Sequence, residues 1–144
     1  MIPVPKKVVI DTNVCLDLFV FNDPRWAKLV AAIESGEIEA VTRSDCRDEF
    51  NIVLHYQHLP LDDDSRPLAT ARFDALIKVV APAESTIKLP VCSDKADQKF
   101  LEIARDAGAE VLITKDKALL KLARRLAREG MFKVMLPEKW IALE

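Results

Sequence analysis

Val8-Val9-Ile10-Asp11-Thr12-Asn13-Val14 runs three apolar residues straight into an acid followed by two small polar side chains. A short run of Val and Ile reads as a strand, and the polar residues after it mark the point where the chain leaves the sheet. The same order recurs about a hundred residues later in Val111-Leu112-Ile113-Thr114-Lys115-Asp116. In an open parallel sheet, ligands bind at the carboxyl ends of the strands, above all at the crevice where strand order reverses. Asp11 and Asp116 fall at such ends, and acids placed there hold something positive.

Outward from these two runs, strands and helices alternate along the chain, the pattern of an α/β domain with a largely parallel sheet. Strands are expected near residues 7–11, 38–41, 86–89, 110–114 and 132–136. A helix follows the first strand, and Asp23-Pro24 opens a second, with Trp26, Leu29, Val30 and Ile33 at helical spacing and Gly36 at its end. Ser44 or Asp45 suits the cap of a helix carrying Cys46, Glu49, Phe50, Val53 and Leu54. Residues 58–67, with two prolines and Asp62-Asp63-Asp64, suggest a surface loop. Ala69, Phe73, Leu76, Ile77 and Val80 predict an amphipathic helix stopped near Pro82, and Phe100, Ile103, Ala104 and Ala107 predict another, ended by Gly108. A long helix is expected over about 117–129 and a final turn over about 138–143. The whole points to three α/β/α layers around a mostly parallel five-stranded sheet, in one domain spanning 1–144.

A chain of 144 residues can bury roughly two thirds of the surface its unfolded form exposes, so it needs no covalent staples. Cys15, Cys46 and Cys92 are odd in number and widely spaced, which argues against a disulfide framework or a zinc ribbon and for a reducing compartment. No basic-then-apolar leader opens the sequence, and no apolar stretch approaches the ~20 residues that span a bilayer, so a soluble cytoplasmic protein with no membrane partner is expected. Twenty-one Lys and Arg against 23 Asp and Glu give a formal charge of -2, which by itself neither favours nor excludes a polyanionic partner.

Two further acids belong with Asp11 and Asp116. Glu49 and Asp97 each border the apolar stripe of a predicted helix, Glu49 beside Phe50 and Asp97 three residues before Phe100. From such a border an acid can lean over the sheet end. Taken singly, each has an ordinary role: Asp11 and Asp116 as helix caps, Asp94 or Asp97 as first-turn acids, Glu49 as a solvated helix residue. Taken together, four close carboxylates repel one another unless some take up protons or a cation intervenes. An oxygen-only set suits Mg²⁺ or Mn²⁺, which can activate a water and neutralise charge on a phosphate. His55 and His58 lack the glutamate of a zinc-protease motif and read as surface residues, and neither a nucleophile elbow nor a phosphate-binding glycine loop is present.

These residues resemble the PIN-domain nucleases, especially the toxin components of prokaryotic toxin–antitoxin pairs. The run Val8 to Val14 is similar to that family's first strand and first acid. Glu49-Phe50-Asn51-Ile52-Val53-Leu54 is similar to its helix-borne glutamate, the segment Ser93 to Ala104 to its third acidic motif, and Val111 to Asp116 to its fourth. The likeness runs from about residue 7 to about residue 141. It implies Asp11, Glu49, Asp97 and Asp116 as catalytic, metal-binding acids, with Asp94 as an auxiliary ligand and Thr12, Asn13 and Thr114 supporting them through hydrogen bonds. Lys115 departs from the pattern, since relatives often carry a small residue or glycine before the last aspartate. The resemblance further implies an endoribonuclease dependent on Mg²⁺ or Mn²⁺ that cuts single-stranded or looped RNA, a small antitoxin that restrains it, and homodimerisation.

Charge changes sign around the last acid. Lys115, Lys117, Lys121, Arg124, Arg125 and Arg128 are six positive residues around Asp116. Lys117, Lys121, Arg124 and Arg128 share one side of the expected helix, a stripe that reads either as a solvated face or, with Lys115, as an RNA-backbone contact. No aromatic-interleaved stacking platform is evident. Other assignments fit less well. A haloacid-dehalogenase-type phosphatase wants a second aspartate where Asn13 stands, and a receiver-like signalling module wants an aspartate after a middle strand. An RNA-processing nuclease unrelated to toxicity, or a non-catalytic binding scaffold, stays open beside the toxin.

Overall fold

The computed structural model describes residues 5–143, so residues 1–4 and 144 at the ends of the expected domain lie outside the described residues. Five strands, β1 (Lys6–Ile10), β2 (Ile38–Thr42), β3 (Ile77–Val79), β4 (Val111–Ile113) and β5 (Lys133–Met135), form one sheet in the order β3-β2-β1-β4-β5. Every neighbouring pair is parallel. The chain builds outward from β1 through β2 to β3, then returns to lay β4 and β5 on the other side of β1. Strand order therefore reverses between β1 and β4, where Val9 pairs with Leu112 and Ile10 with Ile113.

Successive strand residues point to opposite faces, and the sheet sorts them into two cores. Val8, Ile10, Ala40 and Ile113 face a first core with α1 (Thr12–Phe19), α2 (Ala27–Glu34), α4 (Ser65–Leu76) and α8 (Pro137–Leu143). Val9, Val41, Leu112 and Val134 face a second with α5 (Gln98–Ala107), α6 (Lys117–Leu120) and α7 (Ala123–Arg128). Both faces being covered explains why β4 and the Val8–Ile10 part of β1 are unbroken apolar runs. The remaining helix, α3 (Ser44–Val53), straddles the two: Cys46 packs in the second core, Phe50 and Leu54 in the first. Glu49 lies between these anchors. Cys15, Cys46 and Cys92 are buried and unbridged, and no helix of the described residues is long and apolar enough to cross a membrane.

Two expectations need correction. The third strand is Ile77–Val79, not 86–89. Leu76-Ile77-Lys78-Val79-Val80 satisfies a helical stripe and a β-branched strand equally well, and the open edge of β2 decides between them. Ile77 turns extended, Ala40 pairs with Ile77 and Thr42 with Val79, and the Val80 N–H adds a bond to the Thr42 carbonyl at 2.8 Å. Residues 81–88, which include Pro82 and run towards Pro90, remain irregular and exposed. The long helix expected over 117–129 is likewise broken, into α6 and α7. The Leu122 N–H bonds to the Leu119 carbonyl at 3.0 Å, a tightened turn of three-residue spacing. Leu119 and Leu126 on either side of it are both fully buried. The basic residues consequently occupy two short helices and the turn between them, not one continuous face.

Phe50 anchors α3 by stacking on Phe73, with ring centroids 4.5 Å apart, and meets Phe19 edge-on at 6.2 Å. Phe50→Ala should cost about 3–5 kcal/mol. A urea titration should show this as a lowered midpoint at unchanged slope, and an unshifted midpoint would deny Phe50 its anchoring role.

Candidate metal centre

Asp11 leaves β1 and at once caps α1, its Oδ1 accepting from the Val14 N–H at 2.9 Å. Its own N–H donates to the Ile113 carbonyl of β4 at 3.1 Å, so the sheet pairing fixes the carboxylate beside the end of that strand. The carboxylate is 2% exposed. Its Oδ2 accepts from the hydroxyl of Thr114, which also accepts from the Asp116 N–H at 2.9 Å. A single buried threonine thereby links the acids of β1 and β4. Asp116 caps α6 in turn, accepting from the Ala118 N–H at 2.7 Å. The ordinary capping roles and the clustering of acids are both present, because the caps aim the carboxylates at one crevice.

The third contribution comes from the turn before α5. Asp94 caps the 3-10 turn Lys95–Asp97 by accepting from the Ala96 N–H at 3.0 Å. Gln98 fixes this turn, accepting from the Cys92 N–H at 2.7 Å and donating to the Pro90 carbonyl at 3.1 Å. Asp94, Asp97 and Asp116 each offer a carboxylate oxygen within 4.8 Å of the others. Asp97 Oδ2 is buried without a hydrogen-bond partner. Burial first, then a hydrogen bond to Asp116 and repulsion from Asp116, Asp94 and Asp11, push the Asp97 carboxyl up to about 7. Asp116 moves the other way, held below the ordinary carboxylate range by the proton that Asp97 donates. Burial also raises Asp11, although Thr114 and the Val14 N–H oppose it. The cluster thus carries a surplus of negative charge that protons partly offset.

Glu49 stands apart from that trio. Its Oε1 accepts from the Thr12 hydroxyl at 2.6 Å, and its Oε2 forms an ion pair with Lys99. Asp11, Glu49 and Asp97 nevertheless line one cleft of about 390 Å³, together with Thr12, Asn13 and the floor residue Phe100. Asn13 is exposed on its rim, and among the described residues its side chain bonds to none of the acids. A larger cavity, about 740 Å³, opens at the amino end of the sheet between Lys6, Glu110 and Lys133. The smaller one is the functional candidate, because it lies at the carboxyl ends of the strands, beside the switch point, where open α/β sheets bind ligands.

Lys115 is engaged by Asp17 at 2.6 Å, while the carboxylate of Asp17 also accepts from the Trp26 indole N–H at 3.2 Å. Lys117, Lys121, Arg124 and Arg128 are exposed, and Arg125 pairs with Glu129 at 3.2 Å. Asp17, Gln98 and Lys99 escape a sequence reading, since their roles depend on partners remote in the chain or on an irregular turn. Lys99, two residues after Asp97, looks like any solvated helix lysine until α3 is placed beside α5.

The acids thus gather at the switch point of a parallel α/β scaffold. Residues 7–118 match the model of the PIN domain, and the chain belongs to the PIN-domain family. PIN domains are generally nucleases and typically use divalent metals. Asp11, Glu49, Asp94, Asp97 and Asp116 all lie inside the matched segment. No curated protein matches the chain. The donor set fits such an ion: the oxygens of the trio are hard ligands, and the unpartnered Asp97 oxygen is a buried acceptor in need of a positive partner.

The raised Asp97 carboxyl sets a pH dependence. A group whose folded pKa lies above its unfolded value stabilises the fold fully below the unfolded value of 3.8, and that stabilisation is lost as pH rises through about 7. In chelator, the melting temperature should fall between about pH 4 and about pH 7, and Asp97→Asn should flatten the fall. Mn²⁺ binding should release a proton at about pH 6 and less at about pH 8, read by calorimetry in buffers of different ionisation enthalpy. Binding without proton release at the lower pH would place the ion away from Asp97.

Proposed function

We propose that the protein is a divalent-metal-dependent endoribonuclease. The observation that carries this is the Asp94–Asp97–Asp116 cluster with its unpartnered buried oxygen, hydrogen-bonded through Thr114 to Asp11 at the switch point. Asp97, Asp116 and Asp11, with Asp94 at the rim, would hold one or two Mg²⁺ or Mn²⁺ ions. Glu49 would join by exchanging Lys99 for the ion. When bound, the ion supplies a water of lowered pKa and neutralises charge developing on a phosphate.

The chain's own residues handle protons and position. Asp97 would give up a proton on holding the ion, and Thr114 orients the Asp11 carboxylate while its hydroxyl accepts from the Asp116 N–H and so fixes the backbone that carries the Asp116 carboxylate. Thr12 holds Glu49 at the cleft wall. Lys117, Lys121, Arg124 and Arg128 on and between α6 and α7 would meet the RNA backbone through salt-sensitive phosphate contacts. Lys115, paired with Asp17, contributes to that field from a fixed position. The likeness of the four acidic motifs to prokaryotic toxins supports a finer reading: the toxin half of a toxin–antitoxin pair, homodimeric and restrained by a small antitoxin.

Labelled RNA should be cut in Mg²⁺ or Mn²⁺ and left whole in EDTA. Asp11→Asn and Asp116→Asn should each slow cleavage roughly a hundredfold or more. Cutting that persists in either variant removes the proposed chemistry. Induction of the wild-type chain alone should arrest growth where the Asp116→Asn chain does not, and unimpaired growth would leave a nuclease without the toxin role.

Thr114→Val keeps the shape of the side chain and removes the link between the acids. It should weaken Mn²⁺ binding by about 10–100-fold while the circular dichroism spectrum is unchanged. Unaltered affinity would show that the threonine does not orient the site.

A further inference from the structure

The cleft lined by Asp11, Glu49 and Asp97, which meets the acid cluster at Asp97, has a second chemistry on its rim. Asp11, Glu49 and Asp97 form one wall, Leu16, Val53 and Phe100 supply apolar surface, and Tyr56 and His58 complete the lining. Tyr56 is the only tyrosine of the chain and is 50% exposed, and His58 is exposed as well. Neither ring is needed for the core. Their centroids lie 6.0 Å apart at an angle of 44°, so they pack side by side with outer faces open to water.

The turn bearing them is fixed from below. Leu54, 1% exposed, and Leu59, 6% exposed, plug into the core on either side of the pair. The Tyr56 N–H bonds to the Val53 carbonyl at 3.0 Å and the Leu59 N–H to the Tyr56 carbonyl at 3.2 Å. Two aromatic rings are thus held on a short, anchored turn at the mouth of an acidic cleft. A half-exposed aromatic pair on a rigid support is a surface on which a flat ring can stack at little entropic cost. Unpaired nucleobases are recognised in this way, splayed from their neighbours and laid on aromatic faces.

We propose that Tyr56 and His58 form a stacking platform for an unpaired nucleobase adjoining the phosphate held at the acid cluster. The ligand class is single-stranded nucleic acid: a cleft of about 390 Å³ has the capacity of a small-ligand pocket, enough for one extruded nucleotide and too little for a duplex. The base lies over the rim, its ribose runs across the Val53 and Phe100 surface, and its phosphate reaches the acids. Specificity for shape follows, because stacking accepts any base but requires it to be unpaired.

The proposal rests on the acid cluster being the cutting site, and the experiment separates the two. Binding of a fluorescein-labelled single-stranded oligoribonucleotide is measured by anisotropy in Mn²⁺ at low temperature, alongside cleavage of the same oligonucleotide. Tyr56→Ala should weaken binding about 5- to 150-fold, and Tyr56→Phe should leave it unchanged. An oligonucleotide carrying one abasic site at the scanned position should bind the wild type with the same loss, and Tyr56→Ala with no further loss, the signature of two changes removing one contact. Mn²⁺ affinity by calorimetry should be the same in Tyr56→Ala and wild type. Undiminished binding by Tyr56→Ala, or losses that simply add, would overturn the platform even if cleavage proceeds. Tight, Tyr56-dependent binding without cleavage would instead sink the nuclease assignment and leave the platform standing.

Discussion

The hydroxyl of Thr114 is the pivot of the molecule. It donates to Asp11 and accepts from the Asp116 N–H, so the ends of β1 and β4 are joined by one buried side chain as well as by the sheet. That contact exists only because β1 and β4 pair in parallel with Ile10 opposite Ile113. A slip by one residue would turn every side chain of β4 to the other face and carry Thr114 away from Asp11. The register is held in turn by the two cores, which accept Ile113 on one side and Leu112 on the other. Hydrophobic packing across the whole sheet thus brings the Asp11 carboxylate and the Asp116 backbone N–H to within hydrogen-bonding distance of one hydroxyl.

Electrostatics then imposes its own terms. Burying Asp11 and crowding Asp94, Asp97 and Asp116 is unfavourable unless charge is removed or countered. The structure uses several devices: N–H donors from the starts of α1 and α6, lysines on the neighbouring acids, and an Asp97 carboxyl pushed up by burial and by its acidic neighbours. Lys99 satisfies Glu49 and Lys115 satisfies Asp17, each from an adjacent element. What these leave unsatisfied is the buried Asp97 oxygen. A divalent cation answers that need more fully than a proton, because it can neutralise several oxygens at once.

Most of the scaffold was legible along the chain. The apolar runs of β1 and β4, the helical stripe of α5 closed by Gly108 at φ 67°, and the cap chemistry of Asp11, Asp94 and Asp116 are local patterns with local causes. The misread places share a different feature. At residues 76–80 two periodicities coexist, and the vacant edge of β2 selects the strand. At Lys121 and Leu122 no glycine or proline announces the break between α6 and α7, which shows itself only in the tightened hydrogen bond beside two fully buried leucines. Nothing near Tyr56 or His58 in sequence reveals that the turn after α3 hangs over the Asp11 cleft.

Short-range patterns suffice to set the alternation of strands and helices, the covered parallel sheet, and which acids stand at strand ends and helix starts. Those properties follow from the period of hydrophobic residues and from short-range capping, both of which act within a few residues. Which oxygens meet is settled by packing in three dimensions: Asp94 joins Asp97 and Asp116, whereas Glu49 turns to Lys99 and Thr12. Electrostatic pairing depends on distance in space, and residues 49 and 99, half a hundred positions apart, become neighbours solely because α3 and α5 pack over the same end of the sheet.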